Sequence, residues 1–486
     1  MSYADAMNRR KTSAVLTGVL ALAWTWIGAG QSTKSPSGAV TFSEHVAPII
    51  YKRCTTCHRL GEVAPFELKT YDDVARRGKT IAAVTRARIM PPWKAEGDYA
   101  FDGDRRLTDK EIDTLQRWVE GGMPQGDPKK MPKAPSFPDG WALGKPDVVV
   151  TMPEAFPLPA GGRDVYRNFV IPLNNNTDRW VRAAEYRPSA RKAVHHAIFY
   201  LDATGAARQQ DAEDPVPGFN GLMGPSLPGG RASPADLIAS ALGNRATRAP
   251  AAAERTGGSL GGWAPGGGPS TLPEGMAFFL PKGSDLIIST HFHLTGKPEQ
   301  EATTFGIYFA SQPPSKPFFQ IQLPPRGGIF KGINIPPGEA RYMMTDSFIL
   351  PTEVKAFGIA AHAHYLGKEI KLTATLPNGK VKTLISIPDW DLNWQGRYTF
   401  KEYITLPAGT RLDATLRYDN SAANFRNPSN PPRRVTFGEQ STDEMGGVIL
   451  SVMPANPGVL NQLRNAYDKH VQEAVLASPQ VRRGQR

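Results

Sequence analysis

Asp285-Leu286-Ile287-Ile288-Ser289-Thr290 is a short run of strand-favouring residues. It repeats a texture seen at Val148-Val149-Val150, Val165 to Ile171 and Trp180 to Tyr186, each bounded by Gly, Pro or Asn. Short β-type runs separated by turn residues, continuing to about residue 453, predict antiparallel β-sandwiches. A first sandwich is expected over residues 147–312. A second is expected over residues 313–455, beginning at Gln312-Pro313-Pro314. Residues 203–275 interrupt the pattern with Gly, Ala and Pro and read as a long loop with room for a short helix. Residues 456–475 read as a terminal helix, with the tail running to 486.

Upstream of Pro146 the pattern changes, and residues 41–127 read as helical. Thr108-Asp109-Lys110-Glu111 offers an N-cap with a Glu three residues on, the capping-box arrangement. Ile112, Leu115, Trp118 and Val119 follow at helical spacing, and Gly121-Gly122 stops the helix. Residues 128–146 are rich in Pro and Lys and read as a linker. Residues 1–30 have the order of a secretory signal. Arg9, Arg10 and Lys11 precede an uncharged apolar run from Ala14 to Ala29, and Gly28-Ala29-Gly30 offers a cleavage point before Gln31. That run is shorter than the roughly 20 residues a membrane span needs. The expectation is an exported protein, periplasmic or secreted, with no stable membrane span once the signal is removed. The net charge is +12, but the Lys and Arg are scattered. This predicts a solvated basic surface and no nucleic-acid partner.

The chain has two cysteines, both in Cys54-Thr55-Thr56-Cys57-His58. The two thiols of a C-x-x-C-H sequence add to haem vinyl groups, and the adjoining His is placed to ligate the iron. A redox C-x-x-C or half of a zinc site would not need that His, and no other Cys is present to complete a zinc site. For the sixth iron position the candidate is Met90, held extended by Pro91-Pro92; Met123, after the last helix, is the other thioether nearby. The segment Thr41 to Pro124 resembles bacterial cytochrome c domains. The fold class expected is therefore multidomain: a small all-α cytochrome c domain followed by two all-β antiparallel jelly-roll-like sandwich domains.

Nine histidines are present. Setting aside His58, His45 near it and His470 in the tail, the rest fall into three pairs: His195-His196, His291-Phe292-His293 and His362-Ala363-His364. One pair would be unremarked, since residues two apart on a strand share a face. Three pairs with no stray His between them point to metal ligation. Imidazole suits copper, zinc or iron, and zinc with three His and a water stays open. A thioether, Met445 in Asp443-Glu444-Met445, would favour Cu(I) if it joins His362 and His364.

These motifs come in the order His195-His196, His291-Phe292-His293, His362-Ala363-His364-Tyr365-Leu366-Gly367 and Asp443-Glu444-Met445, with Trp263-Ala264-Pro265-Gly266 upstream of the third His. In this order the chain from about Asp147 to Met453 resembles the ascorbate-dependent copper type II monooxygenases, which include the peptidylglycine-hydroxylating and dopamine β-type enzymes. The resemblance implies two copper ions of unequal role. His195, His196 and His291 would hold an electron-storing copper. His362, His364 and Met445 would hold the catalytic copper that binds dioxygen. His293 stays open between a group supporting a ligand, a spare ligand and a substrate contact. The implied activity is hydroxylation of a C–H bond of a small organic substrate. The fusion of an electron-transfer module to an electron-consuming one adds the expectation that one covalently bound haem c relays electrons from an external donor, an ascorbate-like reductant or a redox protein. The resemblance has departures. The family's animal members carry disulfides, whereas this region has no Cys. The residues that hold a peptide carboxylate in the amidating enzymes are replaced by Ala360, Gly447 and Ile449, which argues against peptide amidation. Two other readings of the same ligands are a non-enzymatic copper and haem electron carrier or copper-binding protein, and a zinc hydrolase.

Overall fold

The strand-favouring runs pair into antiparallel ladders in a computed structural model that describes residues 38–137, 140–220, 257–438, 440–479 and 481. The expected signal over residues 1–30 and the middle of the Gly/Ala/Pro-rich stretch lie outside the described residues. Four main sheets are present among them. The first runs in the order Val165–Pro172, Asp285–Phe292, Val194–Asp202, Gly257–Trp263. The second joins Val148–Thr151, Thr304–Phe309 and Arg179–Arg187, with Ser270–Thr271 and Phe278–Leu280 at its edge. Phe169, Phe199, Ile288 and Phe292 of the first sheet share a core with Val181, Tyr186, Phe305 and Ile307 of the second.

The third sheet runs Phe319–Leu323, Gly446–Pro454, Val354–Ala363, Arg397–Leu406. The fourth runs Tyr342–Ile349, Arg411–Tyr418, Gly367–Thr375, Val381–Ile387. Ile321, Ile359 and Leu450 of the third share a second core with Leu372, Ile385 and Leu412 of the fourth. Along Tyr342–Ile349, buried Met344, Asp346 and Phe348 alternate with exposed neighbours, the period-2 signature of a strand with one face in a core. Each apolar side chain so buried contributes about 1.5–3 kcal/mol before entropy is counted.

The helices at the N-terminal end are Ala47–Arg53, Tyr71–Ala75, Gly78–Arg86 and Asp109–Glu120. They pack around Phe42, Ile50, Leu115 and Trp118, and the capping box of Thr108 and Glu111 starts the last of them. Between Arg86 and Asp109, however, the chain leaves these helices and joins the second β core. Glu96 and Ser386 exchange backbone hydrogen bonds of 2.8 and 2.7 Å. Phe101 bridges to Phe400 and stacks on it at 5.3 Å, while Ala95 and Phe101 are buried in that core. The described residues from Val40 onward form one compact unit. The expected fold class is therefore corrected. Among the described residues the structure is mostly β, has no distinct all-α cytochrome c domain, and does not divide into such a domain followed by two separate jelly-roll-like sandwich domains. The physical reason is that Trp93, Ala95, Tyr99 and Phe101 pack against β residues instead of helices.

A second difference lies in the stretch read as loop. It carries the short helix expected there, Ala206–Glu213, but also a strand, Gly257–Trp263, paired with Val194–Asp202. Glycine is a poor strand former, so the run Gly257-Gly258-Ser259-Leu260-Gly261-Gly262 hides the strand. The glycines allow close approach: a Cβ on Gly262 would stand 2.7 Å from the carbonyl oxygen of Ala197. At the C-terminal end a helix runs from Leu460 to Leu476. Among the described residues no helix is long and apolar enough to cross a membrane.

Candidate functional site

Neighbouring residues on a regular strand point to opposite faces, so His195 and His196 should not be able to meet. A β-bulge resolves this. Val194 pairs with Phe292 and His196 with His291, leaving His195 as the extra residue. A bulge re-aims side chains locally. Nδ1 of His195 here lies 3.1 Å from Nδ1 of His196 and 3.1 Å from Nδ1 of His291. The ligand atoms of all three rings fall within 4.8 Å of one another. Two imidazole nitrogens on one ion at about 2.0–2.1 Å stand roughly 3–4 Å apart, so the spacing suits a shared cation. The buried Nε2 of His195 has no hydrogen-bond partner. The donor set, all imidazole, fits copper and also zinc.

Asp164 braces this group. The ladder pairs Val165 with Phe292 and Tyr166 with His291, which brings Asp164 opposite His293. Its carboxylate lies 2.8 Å from Nε2 of His291 and 3.1 Å from Nδ1 of His293. Tyr166 stacks on His291 at 4.2 Å. Burial pushes the Asp164 carboxyl up, but hydrogen bonds to His291 and His293 outweigh it and hold it below the ordinary carboxylate range. A carboxylate on the far nitrogen fixes the ring and its tautomer. Asp164→Asn is expected to lower metal affinity by about 10–100-fold, read by competition with a chelator; unchanged affinity would deny Asp164 this role. His293, with a side chain 64% exposed, stands outside the three-ring group and shares Asp164 with it.

The second pair sits beside the first. The rings of His362 and His196 are 6.4 Å apart, and one amide spans them. Oε1 of Gln395 lies 2.5 Å from Nδ1 of His362, and its Nε2 lies 3.2 Å from Nδ1 of His196. With the amide oxygen accepting from His362 Nδ1–H, the Nε2 lone pair of that ring stays free. His364 crosses His362 at 5.1 Å and 88°. The loop carrying it is held by buried Glu444, which accepts from the backbone N–H of His364 at 2.7 Å, Met445 at 2.9 Å and Leu366 at 3.1 Å. Burial raises the Glu444 carboxyl to about 8 against these bonds. Trp390 donates to the carbonyl of His364 at 3.2 Å. Met445 is buried just before its strand. It lies one residue beyond the ladder pairing of His362 with Gly447 and Ala363 with Gly446, with its methyl toward Gly327.

Desolvation lowers His195 to about 3, with the charge of His291 adding to the effect. His196, His291, His362 and His364 are lowered by burial as well. A depressed histidine value means the neutral ring is the folded form. The associated stability is present above the ordinary value of about 6.5 and is lost as pH falls toward about 3. Protons therefore compete weakly for these nitrogens. Bound metal is expected to persist from about pH 8 down to about pH 5 in equilibrium dialysis; half-loss near about pH 6.5, the value for a free imidazole, would contradict this.

In the C-x-x-C-H segment, the amides of Cys57 and His58 donate to the carbonyl of Cys54 at 3.1 and 2.9 Å, so a single turn gathers both thiols and the ring. Both cysteines are free and half-buried. Nδ1 of His58 lies 3.1 Å from the carbonyl oxygen of Phe66, which orients the ring and leaves Nε2 for an axial bond. These residues fit a covalent haem. Met90 is half-buried outside the helical core, whereas Met123 packs against that core and against Gly78.

The structure thus brings His195, His196 and His291 together, sets His362 and His364 beside them, and leaves His293 at the edge. Two contributors escaped the sequence reading. Asp164 has no signal apart from strand pairing. Gln395 lies in Trp394-Gln395, which reads from sequence as lining another part of the cleft.

No known protein family and no characterised relative matches the chain in sequence. Among solved structures it is similar to a peptide-N(4)-(N-acetyl-β-D-glucosaminyl)asparagine amidase, 10% identical with a TM-score of 0.26, over 64% of this chain and 97% of that one. It is also similar to the VP2 subviral particle of infectious bursal disease virus, 9% identical with a TM-score of 0.18, over 67% of this chain and 76% of that one. Likenesses this distant carry no functional argument.

Proposed function

We propose that this chain is a copper-dependent monooxygenase that inserts one oxygen atom of dioxygen into a C–H bond of a small organic substrate, with electrons entering through a covalent haem from an external donor. The observation that carries the reading is the meeting of three imidazole nitrogens at His195, His196 and His291, with a second imidazole pair beside them. Bound at these nitrogens, copper would supply dioxygen activation and one-electron chemistry, and haem on Cys54 and Cys57 would supply single electrons.

The protein's own residues do the positioning. His195, His196 and His291 would hold one copper, and His362, His364 and Met445 the other. Asp164 fixes the His291 ring, and the Gln395 amide oxygen accepts from Nδ1 of His362. Glu444 and Trp390 pin the His364 loop, so ligand geometry costs little rearrangement during turnover. Ala360 pairs with Ile449 and His362 with Gly447, and none of Ala360, Gly447 and Ile449 offers a cation or a hydrogen-bonding side chain. This favours a substrate without a carboxylate to be gripped.

The test is oxygen uptake by copper- and haem-loaded protein against a panel of uncharged organic compounds, with labelled dioxygen. Substrate-dependent uptake with one labelled atom in the product supports the reading. Redox cycling with no substrate dependence would make the chain an electron carrier or copper-binding protein instead. Isolation with zinc and no copper would favour a hydrolase.

A further inference from the structure

The turn that carries Cys57 touches the protein at one informative place. A Cβ on Gly266 would lie 3.1 Å from Cys57 Sγ and 2.9 Å from Nη1 of Arg105, so the backbone of Gly266 is packed directly on that sulfur. Gly266 has a φ of +76°, a conformation that favours glycine, and Arg105 donates to its carbonyl at 3.3 Å. The next residue, Gly267, accepts a hydrogen bond of 3.0 Å from the indole N–H of Trp263. Trp263 pairs across the ladder with Ala197, and Ala197 is bonded to His196. From the sulfur to the first histidine group the path is one van der Waals step, one side-chain hydrogen bond and one ladder pairing, with covalent bonds between.

The surroundings keep this path fixed. Trp263 is buried in the first core, with the ring of Tyr186 at 5.6 Å and the guanidinium of Arg191 at 5.9 Å. Arg191 pairs with Glu62 at 2.6 Å, and Val63 packs on that same core. The loop following Cys57 is thus clamped where Trp263 lies.

We propose that Gly266, Gly267 and Trp263 form the electron route from a haem on Cys57 to a copper held by His195, His196 and His291. The inference rests on the function proposed above and adds the residues that connect its two redox centres. The step moves one electron: ferrous haem iron becomes ferric, cupric ion becomes cuprous, and no bond or proton changes place. Trp263 acts here by conduction and does not touch the substrate.

The experiment follows haem reoxidation at the Soret band after anaerobic reduction of haem in full-length protein loaded with cupric ion. Trp263→Phe keeps a buried ring and removes the N–H that bonds Gly267. Tyr186→Phe is the control, since it touches the Trp263 ring off the route. The expected result is copper-dependent reoxidation that slows severalfold in Trp263→Phe and keeps its rate in Tyr186→Phe, with haem potential and copper EPR spectrum unchanged in both. Equal rates in wild type and Trp263→Phe, or equal slowing in both variants, would overturn the route and leave the function standing. Wild-type reoxidation that is indifferent to copper would defeat the relay itself.

Discussion

In His291→Ala protein the metal of the first histidine group is expected to be lost. His291 is the most heavily supported ring of the three: its Nδ1 faces His195, its Nε2 is braced by Asp164, and Tyr166 stacks on it. Losing a supporting carboxylate costs about 10–100-fold in affinity, and losing the ring removes both a ligand and the purpose of that support. The drop should therefore exceed that range. Metal content after dialysis is the readout, with His470→Ala as the comparison, because His470 pairs with Asp346 away from the cluster at 2.8 Å. A His291→Ala protein that keeps its full metal content would mean that the three rings do not share an ion.

The second large effect is expected from the double variant Cys54→Ser, Cys57→Ser. Thioether attachment needs both sulfurs, so haem should no longer stay with the chain under denaturing conditions, and the haemochrome signal of the denatured chain should vanish. The histidine groups lie on β-strands built from other residues, so their metal content should stay as in the unaltered protein. Haem still covalently bound in the double variant would refute the attachment, while loss of copper along with haem would show that the β-borne groups depend on haem for their shape.

The parts of this protein legible in the sequence are those fixed by local chemistry. The C-x-x-C-H turn, the capping box at Thr108, and the three His doublets are short-range patterns that survive whatever the fold does around them. Longer-range features were not legible. The bulge at His195 arises from pairing with a strand about a hundred residues away, and nothing in Val194-His195-His196-Ala197 announces it. Asp164 matters because Val165 pairs with Phe292, again a property of register. The apolar residues Trp93, Ala95 and Phe101 read equally well as loop residues of a helical domain or as part of a β core; which core they join depends on Tyr398 and Phe400, far along the chain. The same limit hid the strand Gly257–Trp263, because close backbone approach selected glycine over the β-branched residues by which strands are recognised.

The two neighbouring histidine groups are proposed to hold redox-active copper. This is tested most directly by metal analysis combined with EPR of oxidised protein purified without added metal. Two coppers per chain, with a cupric signal split by imidazole nitrogen and altered in His291→Ala, is the predicted result. Zinc in place of copper, or a cupric signal unchanged by loss of His291, would contradict it.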